Sequence, residues 1–309
     1  MPAEPLHRER RVLTDPAAEP PCSDPIRIDP AVPPDPLRTD LSRTDLARPE
    51  LPRTDPAGDE LFTGPGIRPA ESPWTLMYHS VDHYTEDPHR VTVTPERFAR
   101  QMAWLHSCGL RGVGLGELLR AHAVGRAADL VGLTFDDGYA DLTRGVLPVL
   151  QRYGFGATAF VVAGRLGGHN VWDEGPRKPL LTADQIFRLH DCGVEIGSHG
   201  MYHRSLPGIA AATLAEETGH SRELLRDLLG EPVGGFCYPY GAVDAAAAAA
   251  VRDSGYHYGA AIAHGPLTGR WALPRSYVGE RDNGLRLRAK RARHRLRGLR
   301  VRVDGEDAR

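Results

Sequence analysis

Two acidic side chains stand side by side in Leu133-Thr134-Phe135-Asp136-Asp137-Gly138, at the end of an apolar run, and further along Ser198-His199-Gly200-Met201-Tyr202-His203 carries two imidazoles. One carboxylate and two imidazoles form a three-ligand set for a divalent metal, with the second carboxylate left over. This is the chemistry of metal-assisted hydrolysis. Three protein ligands leave a position open for water, whose pKa falls from about 15.7 to roughly 7 on the ion, so that a weak base suffices. Asp137, His199 and His203 would be the ligands. Asp136 would be the base, because neighbouring residues leaving a strand project in different directions, one to metal and one to substrate.

Each part also has a local explanation. Asp-Asp-Gly after a strand makes a turn or a helix N-cap, and two histidines four apart share a face only if the segment is helical. The joint pattern is stronger, because one apolar strand delivers the acidic pair and the Gly197-Ser198 break follows a second, Val194-Glu195-Ile196, that delivers the histidines. Strand-like runs are predicted at Trp74–His79, Asp129–Phe135, Gly156–Val162, Gly193–Ile196, Gly235–Tyr238 and Tyr258–Ile262. Helical patterns are predicted between them at Pro95–Cys108, Leu142–Tyr153, Thr182–Asp191, Ala211–Leu229 and Ala242–Asp253. Such alternation predicts an α/β fold with a parallel sheet, and the motif residues fall just after strands, where barrel enzymes gather their reactive groups.

The chain has 309 residues and a formal net charge of −2, which gives no case for a charged partner of the whole. Residues 1–73 hold most of the prolines, few aromatics and Arg-Thr-Asp triplets starting at Arg38, Arg43 and Arg53, so a disordered extension is expected there. The catalytic domain is expected at 74–284, followed by a basic C-terminal tail at 285–309. That tail intersperses Leu285, Leu287, Leu296 and Leu299 among arginines, a pattern able to touch anionic lipid or nucleic acid, although a solvated tail is the commoner outcome. No nucleic-acid signature accompanies it, and no nucleic-acid partner is expected. Cys22, Cys108, Cys192 and Cys237 lack metal-type spacing and argue neither for a disulfide framework nor for a cysteine zinc site. Arg8-Glu9-Arg10-Arg11 leads into Pro- and Asp-rich sequence, not an apolar stretch, so cytoplasmic localisation is the expectation.

From about Trp74 to Gly284 the sequence resembles the polysaccharide deacetylases with a NodB-type domain, carbohydrate esterase family 4. Thr134-Phe135-Asp136-Asp137-Gly138 is similar to the family's first motif and His199 through His203 to its second. Phe236-Cys237-Tyr238-Pro239-Tyr240-Gly241 is similar to the third, Asp253-Ser254-Gly255-Tyr256 to the fourth, and Met77-Tyr78-His79 with Thr94-Pro95-Glu96-Arg97-Phe98 to the opening strand and first helix. The resemblance implies a distorted, incomplete (β/α) barrel that removes N-acetyl groups from an amino-sugar glycan. It implies Asp136 as catalytic base and Asp137, His199 and His203 as ligands of one divalent ion, zinc first, with Co2+, Ni2+ or Mn2+ as substitutes. The backbone N–H of Tyr240 would help to hold the oxyanion, where one donor is worth about 3 kcal/mol.

Two departures stand out. Cys237 occupies the position where the third motif usually carries an arginine that orients the base. Arg275, in Leu273-Pro274-Arg275-Ser276-Tyr277-Val278, is the candidate substitute, because a charge within an apolar β-type segment requires a partner and Asp136 is available. His264 falls near the place of the family's general acid but lacks a leucine-rich strand before it, and His79 could line the site, although a structural role is the commoner outcome. Two alternatives remain open: the same fold acting on a non-sugar amide, and a catalytically silent carbohydrate-binding module.

Overall fold

The computed structural model describes residues 68 and 71–306, with side chains through Arg300. The disorder expected of the Pro-rich extension falls on residues outside this range, apart from the few at its end. Strands are β1 (Thr75–Tyr78), β2 (Ser80–Val81), β3 (Thr92–Val93), β4 (Arg111–Val113), β5 (Leu130–Phe135), β6 (Thr158–Val161), β7 (Glu195–Ser198), β8 (Gly235–Cys237), β9 (Tyr258–Ala260) and β10 (Ser276–Tyr277).

All pairings within the main sheet are parallel, in the order β10-β1-β5-β6-β7-β8-β9, with β4 alongside the first half of β5. Both faces of such a sheet are covered, which is why β1, β5 and β6 are buried along their whole length instead of alternating. The sheet curls into an incomplete (β/α) barrel. Leu273 bridges Ala260 at the end of β9, while Ser276 and Tyr277 pair with Leu76 and Met77 of β1, so the segment 273–277 leads from the last strand back to the first. Arg275 lies on that link, its N–H donating to the Ile262 carbonyl at 3.1 Å.

Register places the strand ends together. Tyr78 pairs with Phe135, and the Asp136 N–H donates to the Tyr78 carbonyl at 2.9 Å, so His79 and the acidic pair leave the sheet at one rim. Tyr78, Phe98 and Phe135 close the layer beneath with ring centroids 5.4 to 5.8 Å apart. Helices start where caps allow. Thr94 accepts from the Arg97 N–H ahead of Pro95–Ser107, Thr182 and Gln185 form a capping box, and Asp244 accepts from the Ala247 N–H.

Departures from the sequence-based expectation are informative. The helices expected at Leu142–Tyr153 and Ala211–Leu229 each contain a π turn, at Leu142–Val146 and Glu216–His220. β7 runs two residues later than expected, since Gly193 takes a left-handed φ of 82° and closes the preceding helix. β4 and the helix Leu115–Ala123 were not anticipated, because three residues with a central glycine carry too little pattern. The stretch expected as a basic tail is helical over Gly284–Glu306 and buries Leu287 and His294 against the domain. No helix among the described residues is long and apolar enough to cross a membrane.

Candidate functional site

Four strand ends converge on the site. Asp136 and Asp137 follow β5, His199 follows β7, Tyr240 lies in the turn after β8, and His79 follows β1. Donor atoms of Asp137, His199 and His203 lie within 4.8 Å of one another, with both imidazole Nε2 atoms 3.3 Å from Asp137 Oδ1. All three side chains are buried, at 2 to 6% exposure.

The donors are prepared for a cation. A carbonyl can only accept, so His199 Nδ1, 2.8 Å from the Cys237 carbonyl oxygen, carries a proton and turns Nε2 toward Asp137. Burial pushes this imidazole down, but Cys237 and the Asp137 hydrogen bond outweigh it and hold the group well above its ordinary value, so Nε2 donates to the carboxylate until a cation displaces that proton. Burial raises the Asp137 carboxyl, but the hydrogen bonds of His199 and His203 outweigh it and hold the group well below the ordinary carboxylate range. Burial also pushes the His203 imidazole down, keeping it neutral. An ionised carboxylate and two imidazole Nε2 atoms directed at it are the donors a divalent ion would take, with release of the His199 Nε2 proton, so this set fits one divalent ion. Asp136, His199 and Cys237 also converge. That alternative set is worse, because Arg275 occupies both Asp136 oxygens and also donates to the Cys237 sulfur at 3.0 Å.

Asp136 itself is held as a fork. Arg275 Nη1 donates to Oδ1 at 2.7 Å and Nη2 to Oδ2 at 2.8 Å, while the same guanidinium also donates to Thr134 Oγ1 and the Ala261 carbonyl, both at 2.9 Å. Burial raises the Asp136 carboxyl, and the Arg275 charge and hydrogen bonds more than reverse this, leaving it below the usual range. The base position is therefore ionised at neutral pH, although buried.

The histidine loop is not helical. Gly200 takes φ 80°, and a Cβ there would meet Glu217 Oε2 at 2.7 Å. Glu217 Oε2 accepts from the Met201 and Tyr202 N–H groups at 2.8 and 3.0 Å, while Arg204 lies 3.3 Å from Oε1. Glu217 sits in the π turn, a distortion that recurs at functional sites. Among the described residues four non-glycine residues have positive φ, and three of them are Asp137, His203 and Tyr240 at 70°, 62° and 59°. Each such conformation costs about 1–3 kcal/mol and persists only where its surroundings impose it.

Aromatic rings frame the opening. Trp172 stacks on His203 at 4.4 Å and 21°, and Tyr240 packs edge-on against the same imidazole at 4.6 Å. The Tyr240 hydroxyl donates to Asp173 Oδ1 at 3.2 Å; burial and that neighbour push its phenol up to about 12. The Trp172 loop is pinned at its far end by Lys178, which donates to Thr92 Oγ1 at 3.1 Å and to Ser80. His264 belongs elsewhere. Its ring packs against His294 at 4.8 Å, and burial with that neighbour pushes it down to about 4.

Sequence reasoning missed Trp172 and Glu217 and favoured a structural role for His79 over one lining the site. Trp172 was visible as a lone large aromatic in a polar loop, and Glu217 as an acidic residue at helical spacing from Leu214, Ser221 and Leu225. The His79 Nδ1 is buried without a hydrogen-bond partner among the described residues.

Comparison with known proteins agrees with this geometry. The family described as polysaccharide deacetylase matches residues 124–259, a span holding both aspartates, both histidines and Tyr240. This part of the chain is similar to the polysaccharide deacetylase family. Among relatives, YxkH of Bacillus subtilis (strain 168), a protein named after the polysaccharide deacetylases, is 29% identical over 216 residues, covering 68% of this chain and 72% of YxkH. The poly-beta-1,6-N-acetyl-D-glucosamine N-deacetylase of Staphylococcus aureus (strain MRSA252) is 22% identical, over 61% of this chain and 68% of that enzyme. The Streptococcus pyogenes deacetylase PplD, solved with acetate, shares the polysaccharide deacetylase fold with a TM-score of 0.61 and 21% identity, over 71% of this chain and 97% of PplD.

Proposed function

We propose that this protein is a polysaccharide deacetylase, a metal-dependent hydrolase that removes N-acetyl groups from an amino-sugar glycan. The observation that carries the reading is the convergence of Asp137, His199 and His203 beside an Asp136 locked by Arg275. The named activity of the Staphylococcus aureus relative supports a poly-N-acetylglucosamine chain as the substrate class.

Asp137, His199 and His203 would hold the ion, zinc being the first choice for one carboxylate and two imidazoles. A divalent ion there supplies Lewis acidity to water and to the acetyl carbonyl. Asp136 takes the proton from the attacking water; Arg275 holds both of its oxygens, fixing the carboxylate plane and keeping it ionised. The Tyr240 N–H, presented by a left-handed turn, donates to the oxyanion. His79, with its unpartnered Nδ1 at the same rim, is assigned as the proton donor to the departing amine, a place that His264 cannot take from its position beside His294. Trp172 and Tyr240 offer apolar faces on which a sugar ring can lie.

The silent-module alternative rested on the missing motif arginine. Arg275 on Asp136 removes that reason. The deciding experiment measures acetate release from N-acetylglucosamine oligomers together with metal content. Wild-type protein is expected to carry about one ion and release acetate, to lose turnover on chelation, and to regain it with Zn2+. Metal-loaded protein that binds oligomers without releasing acetate would overturn the proposal.

A further inference from the structure

The C-terminal helix Gly284–Glu306 shows two opposite faces. On the inner one, Leu287 is fully buried, His294 Nε2 lies 3.0 Å from the Ser72 carbonyl, Lys290 donates to Asp282 Oδ2 at 2.6 Å, and Arg291 covers the Trp74 ring at 5.5 Å. These contacts fix the helix on the domain, so the outer face cannot turn inward.

On that outer face, Leu285, Leu296 and Leu299 are 76, 59 and 51% exposed. At 100° per residue they fall on one line with Ala289 and Ala292, in steps of four, three, four and three. Arg286, Arg293, Arg297 and Arg300 run along one side of this stripe and Arg288 and Arg295 along the other. Gly284 to Arg300 holds seven arginines and Lys290 without one acidic residue, in a chain whose net charge is only −2.

We infer that this face docks on an anionic lipid bilayer. The leucine line enters the boundary between headgroups and acyl chains, and the flanking guanidiniums reach lipid phosphates while their stems lie along the apolar surface. Charge complementarity selects this occupant over the others. A second copy of the helix would oppose arginines to arginines across the leucines. A nucleic acid would use the arginines but leave three leucines in water.

The test is co-sedimentation of the full chain with vesicles of phosphatidylcholine alone and of phosphatidylcholine mixed with phosphatidylglycerol. Wild-type protein is expected to sediment only with the anionic vesicles, and less so as salt rises. Arg293→Gln/Arg295→Gln/Arg297→Gln should weaken binding by roughly a hundredfold, at about a factor of five for each charge near the surface. Leu285→Ala/Leu296→Ala/Leu299→Ala should weaken it by at least about tenfold. Both variants alter only exposed positions or flanks, so circular dichroism and melting temperature should match wild type. Failure of wild-type protein to sediment with anionic vesicles would overturn the inference. So would leucine-variant binding equal to wild type, or retention on a DNA duplex that exceeds vesicle binding and ignores the leucine changes.

Discussion

The Arg275 guanidinium grips both oxygens of Asp136, at 2.7 and 2.8 Å, across 139 residues of chain, and its Nη2 also lies 3.0 Å from the sulfur of Cys237. An arginine from the segment that links the last strand to the first thus reaches the side chain occupying the third-motif arginine position. Arg275→Gln should leave Asp136 as an uncompensated buried charge and lower stability by about 3–5 kcal/mol, read by denaturant unfolding. Arg275→Lys keeps the charge without the fork, and should retain much of that stability while losing turnover. Arg275→Ala combined with Cys237→Arg should recover roughly tenfold of the activity lost by Arg275→Ala alone, since the two positions address one carboxylate. A double variant no better than the single one would show that position 237 cannot deliver a guanidinium to Asp136.

Asp136→Asn should retain metal and lose turnover by about 10²–10⁴-fold, because the substitution removes a proton acceptor and not a ligand. His199→Ala and His203→Ala should lose both metal and activity. Metal analysis beside acetate release separates the two classes, and normal turnover by Asp136→Asn would remove that residue from its role.

Glu217→Gln tests the loop that spans the two histidines. The neutral side chain is a weaker acceptor for the Met201 and Tyr202 N–H groups, so the His199–His203 geometry should loosen and metal affinity fall by about 10–100-fold, measured by competition with a chelator. Unaltered affinity would mean that strand β7 and the Trp172 stack suffice to place both rings.

His264 gives a pH dependence of stability. Its folded imidazole is pushed down to about 4 from an ordinary 6.5, so between these values the unfolded chain binds more protons than the native one. The native state therefore loses stability as pH falls from about 6.5 through about 4, and the loss saturates below. His294 is shifted in the same direction and adds to the slope. His264→Gln should flatten the melting temperature against pH in that window. An unchanged slope would place the effect on other groups.

The candidate donor types, the adjacent carboxylate and the alternation of strands and helices were legible in the sequence, because strand length, apolar runs and motif spacing are local properties. The sequence also marked Arg275, since a charge inside an apolar segment requires a buried partner. Tertiary structure decided the rest. That Asp136 is the partner depends on how the sheet curls, which brings the 273–277 link beside β5. The left-handed backbones at Asp137, His203 and Tyr240 have no local signal, because such conformations are unfavourable in isolation and are imposed by the packed rim. Trp172, Glu217 and His79 join the site for the same reason: their roles rest on contacts between distant segments. The two faces of the C-terminal helix were present as spacing, but only docking of Leu287 and His294 decided which one is left to the solvent.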